Sequence, residues 1–166
     1  MTEQIQPDSS VFIFPISTQL SEFEIVKILD SSKEFLVQWK SHGEDLSTRV
    51  WIEEKQFIIF VADSSLTLPS GCSKDKLFHF VENMISGLHL SLGRLDHFWI
   101  KSGGEILHLS KKELKEKLEL VLINSDSQVF PTWINDFEDY NKHWSKPLKN
   151  FHSMLGITQK NEIFQK

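Results

Sequence analysis

The chain has 166 residues, 19.3 kDa, 40% hydrophobic and 11% aromatic side chains, enough for one domain that buries about 70% of its unfolded surface. Eighteen Lys and Arg against 23 Asp and Glu leave a net charge of −5, which disfavours nonspecific binding to nucleic acid. One cysteine excludes an internal disulfide framework, no apolar run approaches the ~20 residues of a membrane span, and the polar start MTEQIQPDSS lacks the regions of a signal peptide. The expectation is a soluble, cytoplasmic protein.

Residues 1–10 are polar and aperiodic and read as a flexible tail, followed by a single domain over 11–155 and a fraying tail over 156–166. Val11–Ile16 (VFIFPI) is apolar at successive positions, as in a strand covered on both faces. Ser21 with Glu24 forms a capping box, and Ile25, Ile28, Leu29, Phe35, Leu36 and Trp39 recur at helical spacing, so a first helix is predicted from Ser21 to about His42, with Gly43 as its stop. Ser47–Glu53 alternates, with Val50 and Ile52 opposite Arg49, Trp51 and Glu53; Phe57–Ala62 is apolar throughout, and the two read as a hairpin.

From Ser73 a second helix carries Leu77, Phe78, Phe80, Val81, Met84, Ile85 and Leu88, with Asp75 in its first turn. His97–Lys101 and Glu105–Leu109 flank Gly103-Gly104, a two-residue hairpin signal. That register sets Phe98, Ile100, Leu107 and Leu109 against His97, Trp99, Lys101 and His108. Ser110 and Glu113 open a third helix, whose Leu114, Leu118, Val121 and Leu122 face one way. Trp133, Phe137, Tyr140, Trp144 and Phe151 are too many aromatics for an unpacked tail.

The order strand, helix, strand, strand, helix, strand is the split βαβ pattern of an α+β, ferredoxin-like core (βαββαβ), here with an appended C-terminal strand, helix and aromatic-rich segment. Its first and third strands are central, which suits the two continuously apolar segments. The sheet face away from the helices then needs a cover, supplied either by the aromatic C-terminal segment or by a second subunit in a homodimer.

The densest chemistry lies in Pro69–Asp75, at the start of the second helix. A helix N-terminus presents N–H groups and positive partial charge, which bind anions and activate thiols. Ser70, Gly71, Ser73, Lys74 and Asp75 are therefore candidate ligand-binding residues, and Cys72 a candidate nucleophile with His42 as its base. Set against this, a free cysteine is commonly a small buried hydrophobe, a Ser near a helix start commonly a cap, and a His at a helix end commonly a partner of terminal carbonyls. Seven histidines form no HExxH and no Cys-x-x-Cys set, so no metal and no cofactor is expected. His97 and His108 share the Trp99 face of the last hairpin, where they either line a pocket or pack under another segment. Neither GxxxxGK[ST] nor GxGxxG occurs, and Ser102-Gly103-Gly104-Glu105 reads as a turn.

Gln38–Gly43 (QWKSHG), the strand end FVAD at Asp63, SGCSKD at Ser70–Asp75, Leu95-Asp96, and Trp144 with Pro147 resemble a family of short, uncharacterised bacterial proteins that often carry the label ABC transporter ATPase. The resemblance spans Val11 to Leu155. It departs from the family at Lys74, where an apolar residue is expected, and at Asn150-Phe151-His152 in place of Ser-Trp-His. The phosphate loop implied by the label is missing, and the resemblance implies no activity.

Three readings follow: a module binding a small anionic ligand or a protein partner at Ser70–Asp75, a Cys72 thiol enzyme acting on an electrophilic carbonyl or a disulfide, and an interaction protein dimerising through its sheet face.

Overall fold

A computed structural model describes residues 5–120, 122–151 and 153. The protein is α+β, with four α-helices and antiparallel sheets among the described residues. Its contacts divide the chain into two compact units, one formed by 1–93 with 133–142 and the other by 94–132 with 143–166.

In the first unit, β1 (Ser10–Pro15), β4 (Ser47–Glu53) and β5 (Phe57–Asp63) form an antiparallel sheet in the order β1-β5-β4. Strand β5 is buried at all seven positions, as the unbroken apolarity of Phe57–Ala62 requires. Its pairing sets Phe14 opposite Ile58, Phe12 opposite Phe60 and Val50 opposite Phe60, while Ile13 and Trp51 flank Ile59 on the other face. The expected alternation of β4 is therefore observed.

Helix α1 (Glu22–Gln38) and helix α2 (Gly71–Gly87) contribute Ile28, Leu77, Val81 and Ile85 to one core with Phe14, Ile58 and Phe60. The α1 capping box is present, with the Ser21 hydroxyl accepting from the Glu24 N–H and the Glu24 carboxylate accepting from the Ser21 N–H. The helix stops four residues before His42. Trp39 is its C-cap in an extended conformation, and β2 (Lys40–Ser41) and β3 (Glu44–Asp45) form a two-residue hairpin instead. His42 (φ 52°) and Gly43 (φ 88°) occupy its turn, the positive-φ pair of a type I′ turn. Helical spacing continues through Trp39 and hides this break.

The opposite sheet face is covered from within the chain. Tyr140 of α4 (Phe137–His143) meets the edge of Trp51, stacks on Phe137, and donates its hydroxyl to the Glu53 carboxylate. Burial and the neighbouring Glu53 charge together push the Tyr140 phenol far above its ordinary range.

The expected fourth strand of the ferredoxin-like sheet does not pair with β1. Phe98–Ser102 (β6) pairs with β7 (Glu105–Leu109) on one side and β8 (Gln128–Phe130) on the other, and β8 pairs with β9 (Lys146–Pro147). Strand β1, expected at the centre, is consequently an edge. Among the described residues its outer side is bonded at its ends, by the Asn135–Asp136 segment and by Ser91–Gly93. The second unit holds its own core of Ile100, Leu109, Leu114, Leu118, Val129 and Leu148. The Gly103-Gly104 turn and the register Trp99 opposite His108 are as expected, whereas Trp99 is fully buried. Helix α3 (Lys111–Glu119) carries the predicted Ser110–Glu113 capping box, but it stops short of Leu122, which is exposed; Val121 lies outside the described residues.

Residues 6–10, expected as part of a tail, are tied to the first unit. Ser9 is fully buried; its hydroxyl accepts from the Ser64 N–H at 3.1 Å and its carbonyl from the Phe137 N–H at 3.0 Å. Asp63 beside them accepts from the Ser65 N–H at 2.8 Å. Burial pushes the Asp63 carboxyl up, but hydrogen bonds from Ser65 and Gln6 and the charge of Arg49 outweigh it and hold the carboxyl below its ordinary range. A carboxylate depressed on folding stabilises the protein above its unfolded pKa, and loses that contribution as pH falls through the folded value. Urea unfolding of the native chain and Asp63→Asn should therefore show a gap in midpoint at pH 6 that narrows as the pH falls below the ordinary carboxyl range of about 4.

Candidate functional site

The N-terminus of α2 is set by a polar lock rather than by apolar packing alone. Ser70, not Ser73, is the N-cap, and its hydroxyl accepts from the Ser73 N–H at 3.2 Å. The helix thus begins two residues earlier than expected, which moves Asp75 beyond the first turn. The Ser73 hydroxyl is buried, lies 2.7 Å from that of Ser70 and donates to the Lys40 carbonyl at 3.1 Å. Ser41, fully buried on the β2–β3 hairpin, accepts from the Ser70 N–H at 3.1 Å.

Trp39 completes the lock. Its indole N–H donates to the Ser73 carbonyl at 2.8 Å, and its ring packs against Phe12 and Phe35. The residues QWKSHG thus act as a short hairpin bolted across the start of α2. Among the described residues no buried side-chain nitrogen or oxygen at this junction lacks a hydrogen-bond partner, which gives the two elements one relative position.

A cleft of about 430 Å³ opens beside this junction, lined by Gln38, Lys40, His42, Gly43, Ser70, Cys72, Ser73 and Lys76. Of the residues singled out from sequence, His42, Cys72, Ser70 and Ser73 meet here; Lys74, Asp75 and Gly71 are exposed and do not line it. The hydroxyls of Ser70 and Ser73 serve the lock and are not free donors to a ligand. Cys72 is exposed rather than buried, which removes the core-packing explanation for it. His42 reaches the cleft from the hairpin turn and not from a helix end; no hydrogen bond joins it to Cys72 among the described residues.

Sequence reasoning missed Gln38, Lys40 and Lys76. Lys76 follows Cys72 by four residues, one helical turn, a spacing that places both on one side of α2. Lys40 pairs with Asp45 across the hairpin at 2.9 Å, both side chains at least half exposed, an arrangement that water screens. Lys76 has no ion-pair partner among the described residues. The N–H groups of Gly71 and Cys72, at the open end of the helix, likewise have no protein acceptor there. The cleft is thus edged by two ammonium groups, an imidazole and the positive end of a helix.

Among the described residues, no group of three or more His, Cys, Asp or Glu is placed to hold a metal ion, and no helix is long and apolar enough to cross a membrane. No protein-family model, curated protein or solved structure matches the chain.

Trp39→Phe keeps the ring and removes the indole donor. It should lower unfolding free energy by about 1 kcal/mol in urea titrations and speed amide exchange in 70–74, while leaving exchange in β5 unchanged.

Proposed function

We propose that the protein binds a small anionic ligand in the cleft between the β2–β3 hairpin and the N-terminus of α2. The observation that carries this reading is the convergence of Lys40, Lys76 and His42 on the open end of a helix. The chain is acidic overall, so cations gathered at one concave place run against its composition. Lys76 and the N–H groups of Gly71 and Cys72 would take the negative charge, and Lys40 would exchange its exposed partner Asp45 for the ligand. Gln38 would supply a neutral donor or acceptor at the rim. The polar lock holds these groups in place before the ligand arrives, which limits the ordering cost of binding.

The first unit is read here as a ferredoxin-like split βαβ core in which short end contacts stand in for the fourth strand. An exposed cysteine without a disulfide partner suits a reducing, cytoplasmic compartment.

Inorganic phosphate and citrate should each raise the thermal midpoint above that in chloride at matched ionic strength. Lys76→Ala should abolish the rise and Lys40→Ala should reduce it. Equal midpoints in all three salts would rule the reading out.

A second reading rests on a separate observation: the exposed Cys72 shares the cleft with His42, the residue pair that a thiol nucleophile and its base require. On this reading iodoacetamide modifies Cys72 faster than it modifies free cysteine at pH 7, and His42→Gln slows the reaction. Modification at the free-thiol rate, unchanged by His42→Gln, would leave the anion site alone.

A further inference from the structure

The face of the β6–β7 hairpin that carries Trp99 gathers two imidazoles. His108 lies directly across from Trp99 and stacks on its indole with ring centres 4.9 Å apart. His97, two residues before Trp99, shares that face by the period of a strand. Its ring lies 5.9 Å from that of His108, the planes 27° apart.

His97 Nδ1 is buried and has no hydrogen-bond partner among the described residues. An unpaired buried polar atom carries the full cost of its desolvation, and such atoms in native proteins point to a water, an ion or a chemical role. Two carboxylates stand around the pair. Each has its own partner, Asp96 in a two-point contact with Arg94 and Glu113 in the α3 capping box. Neither carboxylate is free to serve as a metal donor.

From this geometry we infer that His97 and His108 together bind a divalent transition-metal ion of the Ni²⁺, Cu²⁺ or Zn²⁺ class, with water in its other positions. Imidazole is the side chain these ions favour. Two rings that share one ion through nitrogens at about 2.0–2.1 Å have centres about 5 to 6.5 Å apart, given that bond length and the size of the ring. The observed separation falls inside that range, and the broad χ2 torsion of histidine lets each ring turn toward a common point at small cost. Two protein donors, with no third placed to join them among the described residues, make an open, exchangeable site rather than a structural one. The site lies wholly in the second unit and does not depend on the anion reading.

The test is a calorimetric titration of the untagged full chain with NiCl₂, with the histidine ring protons followed by NMR. Saturable binding of one equivalent is expected, with broadening centred on His97 and His108. His97→Gln and His108→Gln should each weaken binding by tenfold or more, and His79→Gln, on the exposed side of α2, should leave it unchanged. Should His97→Gln fail to fold, the exposed His108 carries the same test. Absence of saturable binding below about 1 mM, or broadening centred on any other histidine or on Cys72, would overturn the assignment.

Discussion

The burial of β5 on both faces is the constraint from which the first unit follows. A strand with no wet face needs a layer on each side, and its backbone groups need a strand on each edge. Strands β1 and β4 meet the second demand. Helices α1 and α2 meet the first on one side, and the segment around Tyr140 contributes on the other. The large side chains of β5 are each worth about 1.5–3 kcal/mol when buried, so the layers that enclose this strand account for much of the unit's cohesion. The helix ends, and with them the candidate site, take their places from these layers.

The site adds a second kind of constraint. Apolar packing sets where α2 lies but leaves its rotation and its first residue loosely determined; the bonds among Ser41, Ser70, Ser73, Trp39 and the Lys40 carbonyl remove that freedom. Three serines that could have served as ligand donors are consumed in this way. What remains for a ligand is the set of groups the lock leaves over: backbone N–H at the helix start, two lysines, an imidazole and a thiol.

Much of this was legible from the residues. The strands of the first sheet, the register of β4, both capping boxes and the Gly-Gly hairpin each follow from a local rule with a short reach, and each is observed. The errors share a cause as well. Trp39 continues the helical spacing of α1 but is pinned outside the helix by the Ser73 carbonyl, a partner 34 residues away, and His42-Gly43 is a turn signal only once that helix is known to have ended. Likewise β6 reads as the fourth strand of a split βαβ unit because the order of elements is right. Which edge it joins depends on β8, a three-residue strand too short to announce itself. The loop around Cys72 stands out in the sequence by its position at a helix start, whereas Lys40 and Lys76 join it only through the hairpin laid across that helix.

Strand β1 has one further property. Because antiparallel pairing alternates, Ile16 bonded to Gln56 implies that Phe14 and Phe12 also turn their backbone groups toward β5, leaving Val11, Ile13 and Pro15 facing outward. Val11 donates to the Asn135 carbonyl, and Pro15 accepts from the Gly93 N–H. Ile13 keeps an outward N–H and C=O, and Val11 an outward C=O, without a partner among the described residues. An unguarded edge is a template on which another chain can extend the sheet; here the open stretch is short and bounded at both ends by the chain's own backbone. The five consecutive apolar residues of this edge strand, Val11 to Pro15, thus offer little open backbone among the described residues.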